Sequence, residues 1–315
     1  MNSLIDPGMR SIHSVVTEAL RTKYWCWILR ERDAYSNSLL TFLHQNLPHI
    51  QPDSWGQRFA FGGVYVNGRD ALGDIELPLP CKIEYYEPKF DIPHAAAIFP
   101  EFRAEYLFYR DDDIIAVYKP PGLSSMPAKE QRHFSVKASV ERLTGARVHM
   151  PSRLDVSAQG LIIMSISERC HGPLQQIFEQ RQITKEYICA SDSHPTWSDK
   201  SVELPIGRDA SHPVLRKIDT INGKPALTEF SLMGRVEEND IFMSVFRAKP
   251  VTGRTHQIRV HAAASGIPLI GDRFYGGMAA DYLHLIGYAV TLTHPVRKDA
   301  LRITLPENFL PKWAL

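Results

Sequence analysis

Asp155 stands two residues after Arg153 in the stretch Met150-Pro151-Ser152-Arg153-Leu154-Asp155-Val156-Ser157-Ala158-Gln159-Gly160, which runs into the apolar Leu161-Ile162-Ile163-Met164. A carboxylate on a polar turn feeding a short apolar strand is one way to hold a charged nucleophile over a core. Two further polar words follow, Lys185-Glu186-Tyr187 and Thr252-Gly253-Arg254-Thr255-His256-Gln257-Ile258-Arg259-Val260-His261. Each has a structural explanation taken alone: Asp155 as a turn or capping aspartate, Tyr187 as a half-buried strand tyrosine, Arg259 as a solvated or ion-paired helix residue. Several chemistries lack their markers. The sequence has no HExxH and no paired cysteines, and His256 and His261 are five apart, off one helix face, so no metal is expected. GxSxG, GxxxxGK and GxGxxG turns are also missing, which removes the usual signs of acyl, phosphoryl and hydride transfer.

These words must be carried by a chain of 315 residues, 44% of them hydrophobic, long enough for one large domain or two. Lys and Arg total 36 against 35 Asp and Glu, so net charge (+1) selects neither nucleic acid nor membrane as partner. Four dispersed cysteines, and an N-terminus without the basic and apolar regions of a signal peptide, point to a cytoplasmic protein. No apolar run approaches the roughly 18–20 residues that span a bilayer, so no membrane role is expected.

Apolar spacing at Ile12, Val16, Leu20, Tyr24 and Trp27 predicts an amphipathic helix over 9–32, an N-terminal extension covering 1–31. Trp25 and Trp27 would not share its face, and core packing suits them better than RNA stacking. A module over 32–91 follows: helices over 36–46 and from 53 to Gly62-Gly63, a strand at Val64-Tyr65-Val66, a hairpin at Asn67-Gly68 and a strand at 81–86. Prolines at 88, 93 and 100 mark a linker, and a larger domain occupies 92–315. In it we expect a strand at 114–118 entering the turn Lys119-Pro120-Pro121-Gly122-Leu123, helices over 135–143 and 173–181 with Pro173 in the first position, and a strand at 183–189 that puts Lys185 and Tyr187 on one face. Further strands are expected at 226–232, 241–247, 282–292 and 301–305, with the Thr252–His261 word entering a helix that ends near Gly266.

The polar words occur in an order that resembles the RluA-type RNA pseudouridine synthases. Those chains carry K-P-x-G-L, H-R-L-D-x-x-T-S-G, K-x-Y, then T-G-R-x-H-Q-I-R-V-H with G-x-P-I-x-G-D-x-x-Y-G, then L-H-A and T-H-P. The counterparts here are Lys119–Leu123, Ser152–Gly160, Lys185–Tyr187, Thr252–His261 with Gly266–Gly276, Leu283-His284-Leu285 and Thr293-His294-Pro295, so the likeness spans about 110–310. Ser152 stands where the family has His, and Ser157-Ala158-Gln159-Gly160 replaces the Thr-Ser-Gly ending. The 32–91 module resembles the small RNA-binding domain of ribosomal small-subunit protein four through Gly63-Val64-Tyr65-Val66-Asn67-Gly68, with few basic residues on its helix pair.

The resemblance implies an α+β fold on a mixed, largely antiparallel sheet, and that uridines in ribosomal or transfer RNA are isomerised to pseudouridine by a monomer. The C1′–N1 bond breaks, the uracil turns, and C1′ rejoins C5; atoms and electrons are conserved, so no cofactor is required. It assigns Asp155 as nucleophile or eliminating base, Arg259 as its bidentate counter-ion, and Tyr187 as the ring under the uracil that helps the C5 proton leave. Arg153 fills the space left by the flipped nucleotide. Lys119, Lys185, Arg254 and Arg273 become phosphate or structural contacts. Two rivals remain at this stage. The altered residues around Asp155 suit an RNA-binding protein or chaperone that keeps the fold without the chemistry, and a nucleoside hydrolase would need a second carboxylate beside Asp155.

Overall fold

Alternation, not helical spacing, governs the first element of the computed structural model, which describes residues 24–31, 38–88, 99–128, 134–212, 214–238 and 240–315. Tyr24–Leu29 forms strand β1, with Tyr24, Cys26 and Ile28 exposed and the intervening residues turned inward. This corrects the predicted helix over its last third; residues 9–23 of that prediction lie outside the described residues. Trp25 and Trp27 do share a face, because it is a strand face, and both pack inward, Trp25 on Tyr85 (centroids 5.6 Å apart) and Trp27 edge-on to Phe42 (5.4 Å).

The chain divides into two compact units, Met1–Glu101 with Met126–Arg142, and Phe102–Ser125 with Leu143–Leu315. In the first, helices α1 (Leu39–Asn46) and α2 (Trp55–Phe61) accompany the strands β1, β2 (Val64–Val66), β3 (Arg69–Asp70) and β4 (Cys81–Tyr86), ordered β1-β4-β2-β3. Asn67 and Gly68 both take positive φ (50° and 74°), as a tight hairpin turn demands. Leu39, Phe42, Leu43, Trp55, Ile83 and Tyr85 form its core.

The second unit is built on one large sheet. Its strands are β5 (Leu107–Arg110), β6 (Ile114–Lys119), β7 (Gln159–Ser165), β8 (Ile183–Ser191), β9 (Asp199–Glu203), β12 (Leu227–Glu238), β13 (Ile241–Pro250), β14 (Leu285–Thr293) and β15 (Ala300–Thr304). Between β9 and β12 a separate hairpin is formed by β10 (Ile206–Arg208) and β11 (Arg216–Ile218). The sheet order is β5-β6-β7-β14-β8-β13-β12-β9, with β15 also on β14. Among the described strands β7–β14 is the one parallel pair, and it lasts two residues, Gln159 opposite Ile286 and Gly160 opposite Gly287. Beyond them β7 diverges and β15 takes over the same edge of β14, from Ala289 onward.

Among the described residues three further α-helices follow: α3 (Val136–Thr144), α4 (Glu168–Glu179) and α5 (Gln257–Ala264). α4 begins five residues before the predicted start and holds Pro173 in its interior. The ring forfeits one helical hydrogen bond there, and burial of Cys170 and Leu174 on the inward face offsets the loss. No described helix is long and apolar enough to cross a membrane.

Candidate active site

The turn after β6 sets the position of Asp155. Lys119, the last residue of β6, is fully buried, and its ammonium donates to the carbonyls of Pro120 (3.1 Å), Val156 (3.0 Å) and Ala158 (2.6 Å). Gly122 N donates to Val156 O, while Ser125 Oγ donates to Leu154 O and accepts from Leu154 N. The carbonyls and amides on both sides of Asp155 are thus fixed by the Lys119–Ser125 segment. Burial pushes the Lys119 amine down to about 7, partly countered by the charge of Asp155. The sequence-based expectation that Lys119 reaches an RNA phosphate is therefore corrected: a buried amine spent on three carbonyls holds the Asp155 loop instead.

At the far end of that loop Gly160 has φ +115°, and a Cβ there would run into the backbone of Gly287. Gly287 in turn faces Tyr187 across β8. This backbone contact seats the Asp155 loop two strands from Tyr187. Where β7 parts from β14 a shallow, solvent-open cleft is lined by Ser152, Leu154, Leu161, Lys185, Tyr187 and Val290, among others. Asp155 is next to this lining through Leu154. Tyr187 keeps its proton strongly: burial pushes its hydroxyl up, and the Asp155 charge adds to the effect.

Arg259, on the first turn of α5, joins the loop to the C-terminal half. Its Nη1 donates to Asp155 Oδ2 at 3.2 Å. The bidentate grip expected for Asp155 goes to Asp272, with Nε to Oδ2 and Nη2 to Oδ1, both 2.7 Å. Rings of Phe274 and Tyr275 lie 5.6 and 5.1 Å from the guanidinium carbon. Burial opposes the charge of Arg259, but the Asp272 and Asp155 carboxylates outweigh it and hold its pKa above the ordinary arginine value. The Asp155 side chain is 27% exposed, whereas that of Asp272 is fully enclosed. One carboxylate is enclosed and orients the arginine; the other is part-exposed.

His256 completes the cluster, with Nε2 3.8 Å from Asp155 Oδ2 and Nδ1 2.7 Å from Tyr275 Oη. Sequence reasoning singled out neither His256, Tyr275 nor Asp272 as functional, although all three stand inside the words that carried the resemblance. Other residues of those words are structural. Gln257 accepts from Thr252 Oγ1 and Arg254 N and donates to Leu227 O and Thr228 Oγ1; His261 bridges Thr228 Oγ1 and Leu204 O.

Of the predicted RNA contacts, Arg153 and Arg273 are exposed and Lys185 is half-buried, and none has a hydrogen bond or ion pair among the described residues. Burial pushes the Lys185 amine down. Arg254 is half-buried and its Nε donates to Pro225 O. At the positions that depart from the family pattern, Gln159 is buried and accepts from Tyr118 Oη at 2.8 Å, and Ala158 packs in the core. Beside these residues Asp155 still accepts from Arg259 Nη1. Among the described residues no group of three or more His, Cys, Asp or Glu is placed to hold a metal ion.

A mixed sheet with a carboxylate held against a captive arginine beside a tyrosine-lined cleft is the arrangement that known proteins bring into focus. Residues 113–264 match the family described as RNA pseudouridylate synthase. The dual-specificity RNA pseudouridine synthase RluA of Escherichia coli (strain K12) is 32% identical over 208 residues, covering 64% of this chain and 93% of that protein. The chain belongs to the RNA pseudouridylate synthase family, and its activity is the isomerisation of uridine in RNA. Among the solved structures that share its fold are two human proteins. Human RNA Pseudouridylate Synthase Domain Containing 1 superposes with a TM-score of 0.56 at 23% identity, over 67% of this chain and 88% of that one. Human RNA Pseudouridylate Synthase Domain Containing 4 gives 0.52 at 19%, over 65% and 90%.

Proposed function

We propose that this enzyme modifies selected uridines of structured ribosomal or transfer RNA, as a cytoplasmic monomer, with Asp155 as the reacting carboxylate. The observation that carries the reading is the division of labour at Arg259: two donors locked on enclosed Asp272, a third on part-exposed Asp155. A preorganised cation of this kind spends no reorganisation as charge changes on the reacting carboxylate.

Asp155 either attacks C1′ as C1′–N1 breaks, forming an ester bond that breaks again when C5 attacks C1′, or takes a ribose proton to eliminate the uracil and returns it as C1′–C5 forms. The freed uracil turns against Tyr187; once C1′–C5 has formed the C5 proton leaves and N1 takes one from water. Tyr187, whose hydroxyl has no hydrogen-bond partner among the described residues, is free to engage the base. Exposed Arg153, two residues before Asp155, fills the gap left in the RNA stack, at a flipping cost of roughly a few kcal/mol. Lys185, Arg254 and Arg273 meet phosphates or the base, and the module within 32–91 contributes to RNA selection.

The hydrolase rival would need a second carboxylate acting beside Asp155. Asp272 is near, but both of its oxygens are occupied by Arg259 and it is closed to solvent. Mapping pseudouridine in all cellular RNA with and without the protein tests the substrate assignment. Sites lost from ribosomal or transfer RNA are expected; losses confined to messenger RNA would overturn it.

A further inference from the structure

Three features of the site are unused by the chemistry above: the imidazole of His256, the hydroxyl of Tyr275 and the hairpin β10–β11. They are connected. Arg216 N, at the start of β11, donates to Tyr275 Oη at 3.0 Å, and Tyr275 Oη lies 2.7 Å from His256 Nδ1. Since the tyrosine oxygen already accepts from Arg216, its own O–H is left to donate, and His256 Nδ1 is the one acceptor it has among the described residues. Nδ1 is then the bare nitrogen of a neutral ring and Nε2 carries the proton. That N–H faces Asp155 Oδ2 at 3.8 Å, longer than a hydrogen bond and one small side-chain shift from becoming one.

The backbone supports the same assignment. His256 is the N-cap of α5 and sits in the left-handed region, φ 57° and ψ 18°, which is uncommon for a residue with a side chain. Its side chain caps nothing in the helix. The conformation instead delivers the ring between Tyr275 and Asp155, with the Phe274 ring nearly parallel to it at 6.5 Å. Arg259, Asp272 and Arg216 are the other charged groups around it, and burial keeps the ring neutral against the pull of Asp155.

We propose that His256 is a positioning residue for Asp155: the Tyr275 hydroxyl, itself set by the β11 backbone, pins the ring as the tautomer whose Nε2–H is aimed at the carboxylate, so that the seating of the hairpin is felt at the reacting group. Together with Arg259 Nη1 this gives Asp155 Oδ2 two N–H groups from the same segment, one charged and one neutral. The proposal rests on the reading of Asp155 as the reacting carboxylate.

The test uses the full-length enzyme and unmodified ribosomal and transfer RNA transcripts carrying tritium at uridine C5, which is released to water when C5 joins C1′. Single-turnover release and RNA Kd are measured for wild type, His256→Ala, His256→Gln, Tyr275→Phe and, as reference, Asp155→Asn. His256→Ala is expected to slow release about 10–100-fold at unchanged Kd, the range for loss of an orienting partner. His256→Gln, which keeps a side-chain N–H of similar reach, should recover to within about 3-fold of wild type, and Tyr275→Phe, which keeps the ring on Arg259, should be about 3–10-fold slow. Wild-type rates in His256→Ala or Tyr275→Phe would overturn the proposal, as would a His256→Gln no better than His256→Ala. If Asp155→Asn is inert while His256→Ala is unimpaired, the positioning role alone fails. Release by Asp155→Asn would instead remove the reading beneath it.

Discussion

Arg259 serves two carboxylates unequally: enclosed Asp272 takes two of its donors and part-exposed Asp155 takes one. Breaking the enclosed pair should be costly, because the arginine would be left buried with Asp155 alone. Asp272→Asn is expected to lower unfolding free energy by about 3–5 kcal/mol in urea titrations, and to slow turnover because the guanidinium loses its fixed orientation. His256 makes a second residue-scale claim. Its folded pKa is pushed down to about 4 from 6.5, foremost by burial. The folded protein therefore binds fewer protons than the unfolded chain between those values, so this contribution to stability is complete above pH 6.5 and is lost as pH falls toward 4. The window is worth on the order of 3 kcal/mol. Chemical denaturation across pH 4–7 should show a shallower acid decline in His256→Gln than in wild type; parallel curves would contradict the burial of a neutral ring. Which residues cluster was partly legible in the sequence, since Asp155, Tyr187 and Arg259 stand in words with chemical content. Which carboxylate the arginine would clasp was not. Asp155 and Asp272 lie 104 and 13 positions from Arg259, and only the folded chain decides between them.

At the scale of elements, the Asp155 loop is held by its neighbours more than by itself. The buried Lys119 ammonium satisfies three carbonyls, and the Gly160–Gly287 approach joins β7 to β14 where the cleft begins. Lys119→Met fills similar space without donors. It should cost about 1–3 kcal/mol for the carbonyls left unpaired and reduce turnover at least about tenfold while RNA Kd changes little; loss of RNA affinity with normal turnover would return Lys119 to the role of a phosphate contact. The reading of Lys119 as an RNA contact failed for a physical reason: a lysine next to a turn is usually solvated, and nothing local announces that three carbonyls from residues 120–158 converge on it. β1 failed differently. Tyr24 and Trp27 satisfy an i, i+3 helical spacing, whereas the alternation Trp25, Trp27, Leu29 is the pattern that pairing with β4 rewards. Strong local chemistry, such as the Asn67-Gly68 turn and the α5 segment, was read correctly because it is decided within a few residues.

For the whole molecule, a net charge of +1 means that RNA is held by local cations rather than by an overall field. Arg153 and Arg273 are exposed without partners among the described residues, so both are available to phosphates. Measured as log Kd against log salt, Arg153→Ala and Arg273→Ala should each reduce the slope by about 0.7–1; an unchanged slope would remove that residue from the interface. The α+β class and the largely antiparallel sheet were legible through the family resemblance of the polar words. The single short parallel pair was not, since it depends on β14 returning beside β7 after more than a hundred intervening residues. That return opens the cleft between the Asp155 loop and Tyr187.

If the carboxylate of Asp155 carries out the chemistry within an intact fold, Asp155→Asn, assayed for tritium release from C5-labelled RNA alongside its melting temperature and RNA Kd, should give no detectable release, with RNA Kd within about threefold and stability within about 1 kcal/mol of wild type. Release at or near the wild-type rate from that variant would contradict that role.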